Sequence, residues 1–333
     1  MKKVLITGIG GFVGSHVAEH FLKTMDYLVV GIDSWRHKGD SLRLRHLMHD
    51  PRLSIYTHDL TTPISYRLEE RIGSIDYILA IASESHVDRS ITDPVPFVQN
   101  NVSLALQIAE YARRVKPRAL IHCSTDEVFG PAIGSDAHTE WLPSLPSNPY
   151  AASKSAQDAI YYSYWRTYGL PLIVTHTMNM IGERQDPEKF IPMCISRIDR
   201  GETVTIHGKD GDIGSRMYLH ARNLADAWRH LIEKTEPYLY QDDHSRYQYP
   251  NSYNIAGEVE IDNLTLAKMI ASIMGKELKY ELVDFHAARP GHDRRYALDS
   301  RKITESGWKP PVPFDQSLAK LVRWTLDHRE WLR

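Results

Sequence analysis

Residues 4–16 read VLITGIGGFVGSH, and this stretch decides how the chain folds. A short apolar run ends at Thr7, glycines follow at a spacing of three residues (Gly8, Gly11 and Gly14), and a helical pattern then begins. Glycines at these positions permit a tight turn and let backbone N–H groups approach a pyrophosphate at the amino end of the helix. The stretch therefore predicts a strand, a turn and a helix that together begin a dinucleotide-binding sheet.

The rest of the first half repeats the same alternation. Apolar runs such as YLVVGID, LSIYTHD, DYILAIA and RALIHCST alternate with helical patterns such as FVQNNVSLALQIAEYARRV. This alternation is typical of βαβ units, whose parallel sheet is covered by helices on both faces. We predict an α/β fold of the Rossmann type, with a doubly wound parallel sheet in residues 1–177. Residues 178–333 are predicted to form a smaller C-terminal substrate-binding lobe, with some segments returning to the main sheet.

The composition argues against several kinds of partner. The chain of 333 residues carries 40 basic and 42 acidic side chains, and this balance gives no electrostatic reason to expect nucleic acid or an anionic membrane. No stretch approaches the roughly eighteen consecutive apolar residues that a membrane span requires. Cys123 and Cys194 are too few for a disulfide framework. We expect a cytoplasmic protein whose partners are small molecules.

Acidic residues follow the second and third predicted strands. Asp33 ends the run VVGID, where a carboxylate can accept hydrogen bonds from a ribose diol and would repel a 2′-phosphate. The position favours NAD over NADP, although the guanidinium of Arg36 nearby could instead hold a phosphate. Asp59 could reach the adenine edge, or it could cap a helix.

Tyr150 and Lys154 are four residues apart at the start of a predicted helix that has Pro149 in its first turn and Gly169 at its end. Both side chains then share one helix face. A nearby ammonium group lowers the pKa of a tyrosine, so we expect Lys154 to lower the pKa of Tyr150. Tyr150 could then take a proton from a sugar hydroxyl while a hydride passes to a nicotinamide.

The segment CSTDEVFG, residues 123–130, ends an apolar strand with Asp126 and Glu127 side by side. The two carboxylates could be solvated surface charges that cap a loop. In a partly buried crevice, however, their mutual repulsion would raise the pKa of one of them and leave an acid beside a base.

Several longer motifs resemble those of the extended short-chain dehydrogenase/reductase superfamily, over essentially the whole chain. Within that superfamily the chain resembles the nucleoside-diphosphate-sugar 4,6-dehydratases, most closely those acting on dTDP-glucose. The motifs, in chain order, are TGIGGFVGSH (7–16), SESHVDRSI (83–91), STDEVFG (124–130), NPYAASK (148–154), RTYGLP (166–171), DPEKFIP (186–192) and RPGHDRRYALD (289–299).

The resemblance implies a reaction and a role for each catalytic residue. Tyr150 would deprotonate the sugar 4-hydroxyl, positioned by Thr125, as hydride passes from C4 to NAD. Glu127 would remove the C5 proton, and a protonated Asp126 would give its proton to the departing 6-hydroxyl. The hydride would then return to C6 and C5 would be reprotonated, so that the cofactor ends as it began. The catalytic set implied by the resemblance is Thr125, Asp126, Glu127, Tyr150 and Lys154.

The resemblance also implies two sets of binding residues, a homodimer formed through paired long helices, and no metal. The cofactor set consists of Gly8, Gly11, Phe12, Val13, Gly14, Asp33, Ser34, Trp35, Arg36, Asp59, Leu60, Ala80, Ile81, Ala82, Asn100, Tyr150 and Lys154. The sugar-nucleotide set consists of Ser85, His86, Asn179, Lys189, Phe190, Thr205, His207, Arg216, Asn254, Arg289 and His292.

The chain departs from the typical family pattern near the expected sugar-nucleotide site. Met180 and Ile181 follow Asn179 where a second asparagine and a tyrosine are usual, and RMYLHARN (216–223) stands for RDWLYVED. Asn100 replaces a common threonine. The nucleotide base and the hexose therefore stay open, with UDP-glucose and UDP-N-acetylglucosamine as alternatives to dTDP-glucose. A sugar-nucleotide 4-epimerase and a catalytically silent NAD sensor are alternative functions.

Overall fold

The computed structural model of the protein describes residues 1–209, 212–240, 249–283 and 295–333. Its centre is a seven-stranded sheet in which every neighbouring pair of strands is parallel. The strands of this sheet are β1 (Lys2–Thr7), β2 (Tyr27–Asp33), β3 (Leu53–Thr57), β4 (Tyr77–Ala80), β5 (Ala119–Thr125), β6 (Leu172–Thr177) and β11 (Asn251–Ile255).

The order of strands across the sheet is β11-β6-β5-β4-β1-β2-β3. The direction of the connections reverses between β1 and β4, and ligands of open α/β sheets bind outside the carboxyl ends of the strands at such a reversal. The predicted α/β fold of the Rossmann type is confirmed. The predicted division of the chain at residues 177 and 178 stays a prediction, and β11, from the second half, is an edge strand of the main sheet.

Helices cover both faces of this sheet. On one face, Phe21 and Trp228 belong to one buried apolar cluster. On the other face, Ile108 and Trp165 belong to a second cluster. The helices associated with the main sheet are α1 (Phe12–Thr24), α2 (Tyr66–Ile72), α3 (Val87–Thr92), α4 (Pro94–Val115), α5 (Pro149–Tyr168) and α7 (Ala221–Lys234).

A smaller lobe follows, with an apolar core of its own that includes Ile195, Leu266 and Leu318. Two three-stranded sheets, β12-β10-β7 and β13-β8-β9, belong to it. Its strands are β7 (Asn179–Ile181), β8 (Val204–Lys209), β9 (Asp212–Ile213), β10 (Ser215–His220), β12 (Glu260–Asp262) and β13 (Tyr280–Val283), and the remaining helices are α6 (Phe190–Asp199), α8 (Asn263–Met274), α9 (Arg301–Glu305) and α10 (Phe314–Asp327). Among the described residues, no helix has both the length and the apolar character needed to cross a bilayer.

The ends of α5 follow from its sequence. The side chain of Asn148 caps the helix by accepting a hydrogen bond from the backbone N–H of Ala151, and Pro149 occupies the first turn, where no N–H is needed. Gly169 ends the helix in the left-handed conformation, with φ of 65°. The helix therefore starts and stops where its sequence predicts.

The turn between β1 and α1 brings backbone against backbone. A Cβ atom on Gly14 would lie 2.2 Å from the carbonyl oxygen of Gly8 and 2.9 Å from the Cα atom of Ile9. Neither atom belongs to a side chain that could move aside. Only glycine therefore fits at position 14.

Gly14→Ala should destabilise the protein although alanine is the better helix former. Helix propensity favours alanine by about 1 kcal/mol. The clash with the Gly8 carbonyl outweighs this gain, and we expect the free energy of unfolding to fall by about 2 kcal/mol. Urea unfolding at equal cofactor occupancy measures the change.

Gly169→Ala is the matched control, because nothing lies within 4 Å of its Cβ position and only the left-handed backbone opposes the substitution. That strain costs about 1 kcal/mol. A smaller loss for Gly14→Ala than for Gly169→Ala would contradict the steric argument.

Candidate active site

A cavity of about 520 Å³ lies at the carboxyl edge of the main sheet. The glycine turn before α1 lines it, as do the ends of β2 and β5 and the start of α5. Residues of the smaller lobe, Arg216 and Tyr218 among them, close it from the other side. One cavity therefore joins the predicted dinucleotide site to the predicted catalytic residues.

Asp33 is held by the backbone around it. One carboxylate oxygen accepts a hydrogen bond from the N–H of Gly10 at 2.8 Å, and the other accepts one from the N–H of Trp35 at 2.9 Å. Arg36 donates to Asp59 at 2.8 Å, so a second carboxylate lies next to this guanidinium. Two carboxylates in this part of the cavity disfavour a 2′-phosphate, and the site fits NAD better than NADP.

Most of the residues predicted to bind the cofactor line the cavity, but two do not. The ring of Trp35 packs so closely over Gly10 that a Cβ there would lie 2.5 Å from it, and the indole N–H donates to Thr57 at 2.8 Å. Ala80 is buried in the sheet. Those that line the cavity are Gly8, Gly11, Phe12, Val13, Gly14, Asp33, Ser34, Arg36, Asp59, Leu60, Ile81, Ala82, Asn100, Tyr150 and Lys154.

Asp126 and Glu127 form the first turn of a 3-10 helix (Asp126–Phe129) directly after β5. Asp126 is only 3% exposed, and one of its oxygens accepts a hydrogen bond from the Thr125 hydroxyl at 2.9 Å. Among the described residues its other oxygen has no hydrogen-bond partner. Burial raises the pKa of Asp126 to about 7, and the charge of Glu127 adds to the shift. Asp126 therefore keeps its proton up to about pH 7, well above the range of an ordinary aspartate.

Glu127 has donors that Asp126 lacks. Its Oε2 atom accepts a hydrogen bond from the side-chain amide of Asn148 at 3.1 Å, and the Tyr296 hydroxyl lies 3.5 Å from the same oxygen. Hydrogen bonds to a carboxylate favour its charged form. Sequence reasoning missed both donors, although each lies within a quoted motif, NPYAASK and RPGHDRRYALD.

Tyr150 and Lys154 lie on one face of α5, as predicted, but the expected effect of Lys154 on the phenol is wrong. Burial and the charge of Glu127 raise the pKa of Tyr150 well above its ordinary value. Lys154 instead donates to the carbonyl oxygen of Cys123 at 2.7 Å and to the side chain of Gln157 at 2.5 Å. The ammonium group is thus directed at neutral acceptors rather than at the phenol, and burial lowers its own pKa.

A buried polar network lies behind the end of β5. Asp158, one turn beyond Lys154, accepts a hydrogen bond from Ser124 at 2.9 Å and lies 3.0 Å from the Nε2 atom of His122. His176 faces the same carboxylate from β6. Although burial opposes it, the two histidine rings beside the carboxylate hold the pKa of Asp158 well below its usual range. The network joins β5, β6 and α5 immediately beneath Thr125.

The structure brings part of the predicted sugar-nucleotide set together. Thr205 lies outside the cavity, where its hydroxyl donates to Glu281 at 3.0 Å. Asn254 also lies outside, because its buried amide donates to the carbonyl oxygens of His138 and Asp299. Arg289 and His292 fall outside the described residues. Those that line the cavity are Ser85, His86, Asn179, Lys189, Phe190, His207 and Arg216.

Ion pairs connect three segments around this cavity. Lys38 lies 2.7 Å from Asp186 and 3.2 Å from Glu188, and Glu188 lies 3.4 Å from the His86 ring. These pairs link the loop after β2 to the segment before α6 and to the start of α3. Lys38, Asp186 and Glu188 line the cavity but were not among the residues predicted from the sequence.

Among the described residues, His16, Glu183 and His220 form a cluster with potential metal-ligand atoms within 4.8 Å of one another. The backbone N–H of Arg222 donates to Nδ1 of His220, and the Arg184 guanidinium faces Nδ1 of His16. Each neutral ring therefore carries its proton on Nε2, which faces Glu183 in both cases. Metal binding requires an unprotonated nitrogen, so the cluster fits a carboxylate that accepts a hydrogen bond from His220 at 3.1 Å, with the His16 ring beside it at 3.7 Å.

A family model, related sequences and solved structures all identify the same family. A family model described as GDP-mannose 4,6 dehydratase matches residues 5–321. A dTDP-glucose 4,6-dehydratase of Salmonella typhimurium is 34% identical over 357 residues, covering 99% of this chain and 94% of the relative.

Solved structures agree with the sequence matches. A dTDP-glucose 4,6-dehydratase from Streptomyces venezuelae, solved with NAD bound, has a TM-score of 0.86 at 31% identity and covers 99% of this chain and 98% of its own. A UDP-N-acetylglucosamine 4-epimerase from Methanobrevibacter ruminantium has a TM-score of 0.84 at 26% identity, covering 98% and 99%. The chain therefore belongs to the extended short-chain dehydrogenase/reductase superfamily and, within it, to the nucleoside-diphosphate-sugar 4,6-dehydratase family.

Proposed function

We propose that the protein is an NAD-dependent lyase that converts a nucleoside-diphosphate hexose, dTDP-glucose in the first instance, into the 4-keto-6-deoxy sugar. The observation that carries the proposal is the unequal environment of Asp126 and Glu127. Burial keeps a proton on Asp126, whereas donors surround an oxygen of Glu127. Water elimination across C5 and C6 needs one such acid and one such base.

NAD bound at the glycine turn would accept a hydride from C4 of the sugar and later return it to C6. The remaining steps belong to side chains of this chain. Tyr150 takes the proton of the 4-hydroxyl, and the resulting ketone acidifies the C5 proton. Glu127 removes that proton, and Asp126 delivers its own to the departing 6-hydroxyl, which leaves as water. When the hydride returns to C6, C5 takes a proton back from Glu127.

The raised pKa of Tyr150 adds a requirement to the first step. A buried phenol beside Glu127 holds its proton, so a cation must approach it before it can act as a base. Lys154 lies one helical turn away, with its ammonium group on the carbonyl oxygen of Cys123. We propose that Lys154 exchanges this partner for the phenol when the cofactor and the sugar are bound.

A sugar-nucleotide 4-epimerase is the second candidate, and the likeness to the Methanobrevibacter ruminantium epimerase favours it. An epimerase needs a base at the 4-hydroxyl but no acid for a departing 6-hydroxyl. The buried, protonated Asp126 therefore favours the dehydratase.

We also propose a cytoplasmic homodimer, and the exposed Leu106 of α4 is available for a helix-to-helix contact.

The purified protein, with no NAD added, should remove one water from dTDP-glucose. The assay follows product mass with dTDP-, UDP-, CDP- and GDP-glucose and with UDP-N-acetylglucosamine. The sugar that loses water fastest identifies the base and the hexose. An unchanged mass accompanied by an altered sugar configuration would instead support the epimerase. An unchanged mass and configuration with every sugar, even with NAD supplied, would contradict both enzymes and favour the sensor.

Asp126→Asn should retain oxidation at C4 and lose elimination, because an amide cannot deliver the proton. We expect reduced cofactor to accumulate, with at least a 100-fold lower rate of water loss.

In the wild-type protein, elimination should slow as the pH rises through about 7, because Asp126 then loses its proton. Stopped-flow absorbance and product mass measure the two steps.

Asp315→Asn, an exposed carboxylate on α10, is the control. Rapid formation of the 4-keto-6-deoxy product by Asp126→Asn would show that another group is the acid.

Tyr150→Phe should abolish oxidation at C4 while cofactor and sugar still bind. Removing a general base typically costs about 100- to 10,000-fold in rate, and we expect a loss in that range. The measurement is the appearance of reduced nicotinamide after rapid mixing, together with calorimetric binding of dTDP-glucose. Normal turnover by this variant would remove Tyr150 from the mechanism.

A further inference from the structure

Asn148 occupies a position with two simultaneous functions. It is the last residue before α5, and its side-chain oxygen accepts a hydrogen bond from the backbone N–H of Ala151 at 2.9 Å. Its side-chain nitrogen donates to Oε2 of Glu127 at 3.1 Å. The residue is 6% exposed, so water scarcely competes for either bond.

We propose that Asn148 is a positioning residue for the base, which fixes the carboxylate of Glu127 to the amino end of the helix that carries Tyr150. The inference rests on the proposed function, in which Glu127 removes the C5 proton. It extends that function by naming the group that fixes which member of the carboxylate pair is the base.

The geometry leaves the amide of Asn148 little freedom. The oxygen must face the N–H of Ala151, and this requirement directs the NH₂ group toward Glu127. Asparagine can cap a helix and donate a hydrogen bond at the same time, whereas aspartate can cap but carries no donor when ionised. The hydroxyl of serine can also cap a helix, but the serine side chain is one bond shorter than that of asparagine. The dual role therefore depends on this side chain and not on capping alone.

The hydrogen bond from Asn148 is one of the differences between the surroundings of the two carboxylates. Asp126 accepts a side-chain hydrogen bond from Thr125, and its second oxygen has no hydrogen-bond partner among the described residues. The charge of Arg216 and the backbone N–H of Glu127 lower the pKa of Asp126, but burial outweighs them. Glu127 accepts from Asn148 at 3.1 Å, with the Tyr296 hydroxyl more distant at 3.5 Å. A donor on one carboxylate and an unpartnered oxygen on the other favour charge on Glu127 and a proton on Asp126.

Other ionisable groups also act on Glu127. Asp126 precedes it on the same turn, and the phenol of Tyr150 faces it from α5. The ammonium of Lys189 faces it from the start of α6. The Tyr296 hydroxyl, 3.5 Å from Oε2 of Glu127, is a further ionisable group among the described residues. Asn148 differs from all of them, because it is a neutral donor whose contribution does not change with pH.

Two substitutions separate the donor from the cap. Asn148→Ser keeps a capping oxygen, but its hydroxyl donor sits one bond closer to the backbone than the Asn148 amide and is withdrawn from Glu127. Asn148→Asp keeps the cap, has no donor when ionised and places a second negative charge against Glu127. We expect water elimination to slow by about 10- to 100-fold in Asn148→Ser, since a hydrogen bond to a charged group is lost. The loss should be larger in Asn148→Asp. KM should change less than kcat in both variants.

The rates of the individual reaction steps distinguish a positioning role of Asn148 from general damage to the fold. Stopped-flow absorbance should show that oxidation at C4 persists in both variants and that reduced cofactor accumulates. Incorporation of solvent deuterium at C5 should slow in parallel with elimination. The acid limb of the kcat–pH profile should move to higher pH, further in Asn148→Asp than in Asn148→Ser. Ser65→Asp, a swap at the cap of α2, should leave every one of these quantities unchanged.

A direct titration tests the inference without turnover. Infrared difference spectra of the NAD-bound protein, with Glu127→Gln to assign the band, report the pH at which Glu127 ionises. This pH should rise in both Asn148 variants. An unchanged ionisation of Glu127, or an equal loss of C4 oxidation and elimination, would overturn the inference. If the unchanged protein dehydrates none of the sugars, the proposed function fails, and the titration alone decides the role of Asn148.

Discussion

A buried aspartate and a partly buried glutamate can lie side by side at the end of a strand only if their two charges do not share the same low-dielectric surroundings. The protein meets this constraint by giving Asp126 and Glu127 different partners. Asp126 points into a site where burial raises its pKa to about 7. Glu127 points toward the donors Asn148 and Tyr296. The residues around β5 thus favour a proton on the carboxyl group of Asp126 and a negative charge on that of Glu127.

Helix α5 connects this pair to the rest of the site. Its cap holds Glu127, its first turn carries Tyr150, and its second turn carries Lys154. One turn further, Asp158 fixes the helix to Ser124 and His122 on β5. The proposed acid, the proposed base and the residues proposed to assist oxidation at C4 are therefore held by one strand and one helix that share a buried polar network. Loops contribute mainly to the cofactor and sugar ends of the cavity.

Part of this arrangement could be predicted from the sequence because it depends on local rules. The glycine spacing specifies a turn, the apolar rhythm specifies a parallel sheet, and a separation of four residues places Tyr150 and Lys154 on one face. The direction of the Tyr150 pKa was predicted wrongly, because it depends on where the lysine ammonium finds acceptors in three dimensions. Asn254 was predicted to contact the sugar nucleotide because it matches a position that the family uses. In the structure its amide donates instead to two backbone carbonyl oxygens. The contact between Asn148 and Glu127 spans 21 residues along the chain and could not be read from spacing.

The recurrence of Tyr150, Lys154 and Asp158 every four residues also limits how the gene can change in length. One inserted residue between Tyr150 and Lys154 would turn the rest of the helix by about 100°. Lys154 would leave the cavity, and Asp158 would lose Ser124 and His122 in the same event. The exposed turn at residues 133–136 has no such register to keep. Insertions and deletions should therefore accumulate there during divergence, while α5 keeps its length even where its surface residues change.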